Sequence, residues 1–201
     1  MRASPLLLVS LLSCTHAGTL TTRQSSLFVT TTAGIPAFPG SALACPTRNG
    51  EGDILKTWPN GKKQLSGTCR GGLLVGEWKG FYENGALEWK ASFDAGLMNG
   101  PYHAYYANDR KRAEVQFKAG FPDGEFKGWH FNGATSMKGD YVGGKPNGCW
   151  ETWHDNGQKA SKGTYEDGVK VVTWLYWTAD GSKRKEKLGG TPTHGECLIT
   201  L

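Results

Sequence analysis

The stretch that decides the fold is Glu77-Trp78-Lys79-Gly80-Phe81-Tyr82-Glu83-Asn84-Gly85, returning through Ala86 to Phe93. Two short runs carry aromatic residues on alternate and adjacent positions and flank an Asn-Gly pair. Asn-Gly is the strongest short hairpin signal, because both residues tolerate the positive φ of a type I′ turn. No uninterrupted apolar period of 3.6 competes with this reading. A second turn region, Ala95-Gly96-Leu97-Met98-Asn99-Gly100, closes the unit, so two strands and two turns fill 24 residues.

Working outward, the same unit recurs without insertions. One glycine column runs Gly52, Gly76, Gly100, Gly124, Gly148, a second Gly61, Gly85, Gly133, Gly157, Gly181, and a third Gly72, Gly96, Gly120, Gly144, Gly168. Aromatic columns keep the step: Trp78, Tyr102, Phe126, Trp150, Trp174, preceded by Ile54; Phe81, Tyr105, Trp129, Trp153, Trp177; and Phe93, Phe117, Tyr141, Tyr165. A fixed period of this kind marks a repeat architecture. The expected fold is all-β: an elongated single-layer antiparallel meander of about six 24-residue β-hairpin repeats over residues 51–188. Period-two alternation puts Trp78, Gly80 and Tyr82 on one face and Phe81 on the other. An isolated hairpin is marginal in water, so neighbour-to-neighbour burial has to supply the stability. Asp109 breaks the second glycine column, and a modified turn is expected at Asn108-Asp109.

Phe81-Tyr82-Glu83-Asn84-Gly85, Trp129-His130-Phe131-Asn132-Gly133 and Trp153-His154-Asp155-Asn156-Gly157, each followed by an aromatic and spaced glycines, resemble MORN-type repeats. The closer resemblance is to the bacterial MORN-variant form, often grouped with antitoxin repeats. The resemblance covers residues 52 to 188 and implies binding to proteins or lipids with no reaction attached.

The flanks read differently. Arg2 followed by the apolar Leu6–Leu12 is a targeting segment, too short to span a bilayer. It ends in Leu11-Leu12-Ser13-Cys14, which resembles the lipobox of bacterial lipoprotein signal peptides. That resemblance implies a signal peptide over 1–13 and a lipid on Cys14; the alternative is an ordinary signal peptide cut near His16 or Ala17. Residues 14–50 are rich in Ser, Thr, Gly, Ala and Pro and read as a flexible tether. Residues 189–201 read as a C-terminal cap. The expected location is thus outside the cytoplasm, on the bacterial cell envelope, where disulfides are permitted.

Four cysteines remain, and three connectivities are open. Cys69 and Cys149 lie about seven strands apart, over roughly 30 Å at ~4.8 Å per strand, against a Cα limit near 7 Å. A continuous sheet therefore favours Cys45 with Cys69 and Cys149 with Cys197, each tying a flank to one end; free thiols are the alternative.

Function classes narrow by exclusion. The net charge of +5 is mild and mixed in sign, too little for a nucleic-acid partner. His130 and His154 stand one unit apart, about 10 Å, too far to share a metal, in a column where other units carry Trp58, Tyr82 and Tyr106. No catalytic dyad, phosphate loop or nucleophile motif is present, so no catalytic residue, metal or cofactor is assigned. Arg110-Lys111-Arg112 and Lys183-Arg184-Lys185 read as charge that protects turns and edges, with contact to acidic lipid or protein as the alternative. The best binding candidates are Phe81, Tyr105, Trp129, Trp153 and Trp177, provided the sheet leaves that ladder uncovered. The expectation is a non-enzymatic binding or scaffold protein with an unidentified protein partner and a membrane contact through the lipid. A toxin-neutralising immunity lipoprotein is the second reading.

Overall fold

A computed structural model of the chain describes residues 29–30, 36–37, 44–46, 50–189 and 197. The signal segment 1–13, Cys14, and most of the expected tether and C-terminal segment lie outside the described residues.

Strands β1 (Val29–Thr30) and β2 (Pro36–Ala37) form a small separate hairpin. The remaining strands build one open antiparallel sheet of six consecutive hairpins. These are β3 (Gly52–Thr57) with β4 (Lys63–Arg70), β5 (Leu73–Phe81) with β6 (Leu87–Asp94), and β7 (Leu97–Tyr105) with β8 (Lys111–Lys118). The fourth pairs a split strand, β9 (Phe121–Pro122) and β10 (Gly124–Trp129), with β11 (Thr135–Val142). Then follow β12 (Lys145–Trp153) with β13 (Lys159–Glu166), and β14 (Val169–Trp177) with β15 (Lys183–Lys187). Apart from β9, which pairs only with β8, the strands lie side by side in chain order from β3 to β15. At ~4.8 Å per strand the sheet extends on the order of 50 Å.

The two rims use different turns, and the assignment differs from the sequence expectation. At the Asn-Gly rim the Gly85 N–H donates to the Tyr82 carbonyl at 2.8 Å and the Tyr82 N–H to the Ala86 carbonyl at 2.9 Å. Only Gly85 there has a positive φ, at 90°. This is a type I turn followed by a left-handed G1 bulge, not a type I′ turn. The Asn84 Oδ1 accepts the Ala86 N–H at 2.9 Å, which holds Asn84 in the right-handed region. The type I′ turns sit at the opposite rim, where consecutive residues such as Ala95 (φ 46°) and Gly96 (φ 80°) are both left-handed. The turn at Asn108-Asp109 is not modified. Asp109 adopts φ 62° and its N–H reaches the Tyr106 carbonyl at 3.0 Å, as glycine does in the other units.

One face of this single layer is a true core. The column Trp78, Tyr102, Phe126, Trp150, Trp174 is at most 3% exposed, and Phe93, Phe117, Tyr141, Tyr165 at most 5%. A lone sheet buries such rings because they lie flat on the neighbouring strand. Trp78 covers Gly67, Trp150 covers Gly139 and Trp174 covers Gly163; a Cβ at these glycines would stand 2.1, 2.1 and 2.2 Å from the indole. Where the ring is smaller the bed is larger: Tyr102 faces Ala91, and the register brings Phe126 beside Val115. Each indole N–H also finds a main-chain carbonyl, from Trp78 to Thr68 at 3.1 Å and from Trp174 to Thr164 at 3.1 Å. The two ring columns then interlock edge to face, Tyr141–Trp150 at 5.1 Å and Tyr165–Trp174 at 4.9 Å. Such pairs contribute about 0.5–1.5 kcal/mol each beyond the area they bury.

Both expected disulfides are present, Cys45–Cys69 and Cys149–Cys197. The first lies at the core face, where Cys69 takes the Phe93 column and the Cys45 N–H donates to the Gly72 carbonyl at 2.8 Å. The second lies on the opposite face. There the Cys197 N–H donates to Thr164 Oγ1 at 3.1 Å, and Thr164 and Leu175 are almost fully buried. The far end of the core is closed by polar groups: Lys170 Nζ donates to the Tyr176 hydroxyl and that hydroxyl to Glu186, both at 2.8 Å. The final edge strand β15 exposes Lys183, Arg184, Lys185 and Lys187, charge that discourages further strand pairing.

Candidate functional site

The row of binding candidates runs along the face opposite the core, next to the Asn-Gly rim. Phe81, Tyr105, Trp129, Trp153 and Trp177 end strands β5, β7, β10, β12 and β14, and the structure leaves every one half-buried. Their cross-strand partners are Leu87, Lys111, Thr135, Lys159 and Lys183, so rings alternate with other side chains along one line across ten strands. Three of these lysines stand over indoles. Lys111 Nζ is 5.4 Å from the Trp129 ring, Lys159 Nζ 5.3 Å from Trp153 and Lys183 Nζ 5.7 Å from Trp177. Each such contact adds about 0.5–1 kcal/mol at an exposed site. Glu114 holds Lys111 at 2.8 Å, and Glu151 holds Lys159 at 2.6 Å and Lys162 at 3.4 Å.

The main chain of the row is fixed from the preceding unit. Trp58 Nε1 donates to the Phe81 carbonyl at 3.0 Å, and the Tyr82 and Tyr106 hydroxyls donate to the Tyr105 and Trp129 carbonyls at 2.8 Å. His130 Nε2 and His154 Nε2 take the same role toward Trp153 and Trp177, at 2.7 and 2.8 Å, which places their protons on Nε2. The histidines are therefore ring-shaped donors in an aromatic column. Beside them Asn60, Asn84, Asn108, Asn132 and Asn156 each donate from Nδ2 to a carbonyl of the following tip. The last unit carries Thr178 and Asp180 at these two positions. Thr178 bonds within its own tip, to Asp180 and the Ser182 carbonyl, and Asp180 accepts the Ser182 N–H. Forward donors are missing from the last unit among the described residues.

A second group was not foreseen from sequence. The register break at Gly80/Phe81 leaves Glu88 between Leu87 and Trp89 and turns it inward, to 3% exposure. Burial pushes its carboxyl up to about 7, against the opposing pull of Arg112. Arg112 also acts on Tyr82, Tyr102 and Tyr106, whose phenols are raised chiefly by burial. Within this cluster Glu88 and Tyr102 are buried, while Tyr82, Tyr106 and Arg112 are half-buried. Among the described residues no three His, Cys, Asp or Glu side chains gather as a metal site. Sequence reading missed Glu88 and the Asn ladder; only the repetition of Asn60 through Asn156 signalled the latter. Cys14, the proposed lipid site, lies outside the described residues.

The family description of the MORN repeat variant matches residues 74–94 and 146–167. The first match covers β5, its tip and β6, and the second β12, its tip and β13, in the same phase of the repeat. No curated protein matches the chain. Two of the six hairpins, at residues 74–94 and 146–167, match the MORN repeat variant.

Proposed function

We propose that this is a non-enzymatic binding or scaffold protein whose contact surface is the row Phe81, Tyr105, Trp129, Trp153, Trp177. The observation that carries the reading is the contrast between the faces. The rings of one face are spent on the core, whereas those of the other stay half-exposed, each at the same place in its unit, with cations beside three of them. Tryptophan, tyrosine and basic side chains in a fixed frame are the composition of contact hot spots. MORN repeats as a class are consistent with binding and scaffolding.

The proposal includes export and a lipid on Cys14, which would hold the array at the envelope by its N-terminal flank. The two disulfides support an oxidising compartment, since such bonds do not persist in most cytosols. Mass spectrometry of the mature N-terminus tests the anchor: a diacylated Cys14 is expected, and an unmodified start beyond residue 14 refutes it. The contact row is tested by affinity capture from envelope extracts with the wild type and a Trp129→Ala/Trp153→Ala variant. Loss of capture by the variant is expected; equal recovery by both discards the row.

A further inference from the structure

Taking the row above as the contact surface, we propose that its C-terminal half, Trp129, Trp153 and Trp177 with Lys111, Lys159 and Lys183, binds a linear, carboxylate-bearing β-1,4-linked polysaccharide. The argument begins with spacing. Consecutive rings of the row are separated by two strands, about 9.6 Å at ~4.8 Å per strand, and two sugars of an extended β-1,4-linked chain also span about 10 Å. The register fixes this: Trp129 opposes Thr135, Trp153 opposes Lys159 and Trp177 opposes Lys183, with one intervening strand at each step. Every second sugar thus meets an indole at the same place in its own repeat. Pyranose C–H faces pack on indole faces, which needs an open platform and no pocket, and three rings cover two disaccharides.

The second observation is charge. Lysines recur along the line of the indoles, and the three that stand over rings do so at 5.3 to 5.7 Å. Lys111 and Lys159 share their charge with Glu114 and Glu151, but Glu151 also serves Lys162, and Lys183 has no carboxylate partner among the described residues. Lys185 opposes Leu175 on the same face and adds to the surplus. Lys159 and Lys183 stand two strands apart, the interval of their rings, while Lys111 lies on the other side of Trp129. A chain with one carboxylate per sugar or per disaccharide thus meets an ammonium beside each of the three indoles. In the other half Leu87 stands opposite Phe81 where Lys159 stands opposite Trp153, Lys111 opposite Tyr105 stands over the Trp129 ring, and neither ring is an indole. Sheet twist turns successive strands by roughly 20–25°, so the ligand is engaged over a few sugars rather than along a straight fibre.

The test is titration of the mature, disulfide-intact chain, followed by tryptophan emission and calorimetry, with a β-1,4-linked hexamannuronate, cellohexaose and a dimannuronate. The hexauronate is expected to bind at least about tenfold more tightly than the dimer and than cellohexaose, and to weaken as salt is raised. Trp153→Ala and Trp129→Ala should each cost about tenfold, whereas Leu55→Ala, at an exposed position outside the row, leaves the affinity unchanged. Lys159→Gln should weaken the uronate and leave any cellohexaose binding alone. Retained near-ultraviolet circular dichroism shows that the variants are folded. Absence of binding by either hexasaccharide at millimolar concentration overturns the inference, as does equal affinity for the two or indifference to Trp153→Ala. Should the glycan arms fail while the row variant still loses a captured macromolecule, the inference falls and the contact row stands; should both fail, both fall.

Discussion

Trp150 and Trp153 belong to the same strand, three residues apart, and have opposite fates. Trp150 is 1% exposed, lies on Gly139 and donates its indole N–H to the Asp140 and Asn147 carbonyls, both at 3.2 Å. Trp153 is half-buried, has an ammonium over its ring and contributes its main-chain carbonyl to His154's counterpart, His130. The difference arises on the neighbouring strand. A glycine below an indole lets it lie down and become core, whereas Trp129 and Trp153, opposite Thr135 and Lys159, stay half-buried. In a single-layer sheet the identity of the bed residue, as much as the ring, divides structure from surface.

The sharpest way to break the comparison is to truncate both rings. Trp150→Ala should cost about 3–5 kcal/mol in urea unfolding, because it removes a ring packed against Phe126, Tyr141 and Tyr165. Trp153→Ala should cost about 1 kcal/mol or less. Similar losses at the two positions would show that the outer row is also core.

A smaller effect separates the faces by pH. Glu88 is carried to the core side of the sheet, and its carboxyl is pushed up to about 7 by burial. It holds its proton more tightly folded than unfolded. Its contribution to stability is therefore complete below the ordinary carboxylate range and is lost as pH rises through about 7. Glu88→Gln should flatten the stability profile between pH 5 and 8 and gain on the order of 2 kcal/mol at the alkaline end. An unchanged profile would place the proton elsewhere.

The smallest change concerns the last unit. Val172 stands where Gly76, Gly100 and Gly148 stand in other units and adopts φ 55°, a left-handed conformation costly for a β-branched residue. Val172→Gly should raise stability by about 1 kcal/mol, read as a higher melting temperature. A lower one would mean that the packing of the valine outweighs its strain.

Much of this was legible in advance. Gly52 to Gly148 and Trp78 to Trp174 set the period, the hairpins and the facing of the core, and the continuous sheet set the cysteine pairing. The turn type at the Asn-Gly rim was misread because Asn-Gly suits both a type I′ turn and a G1 bulge. Asn84 Oδ1 takes the Ala86 N–H, and its Nδ2 is bound by the carbonyl of Ala107 in the next unit at 3.1 Å, a non-local partner that no dipeptide reveals. Glu88 was hidden for a similar reason. Its column holds Gln64, Arg112, Ser136 and Ala160, and only the bulge beside Phe81 turns the carboxylate inward. The beds Gly67, Ala91, Val115, Gly139 and Gly163 were visible as a column, but their meaning lies in the inverse match to Trp, Tyr, Phe, Trp and Trp across the strand.

That match is open to one direct measurement, a double-mutant cycle at the fifth unit. Gly139→Ala alone introduces a Cβ 2.1 Å from the Trp150 ring and should cost several kcal/mol, of the size seen for overpacked cores, about 1–3 or more. Adding Trp150→Tyr recreates the Ala91–Tyr102 pair of the third unit and should recover at least about 1 kcal/mol of that loss as coupling. Losses that simply add would contradict the claim that ring and bed are fitted to each other, and with it the explanation of how one layer of sheet holds a core.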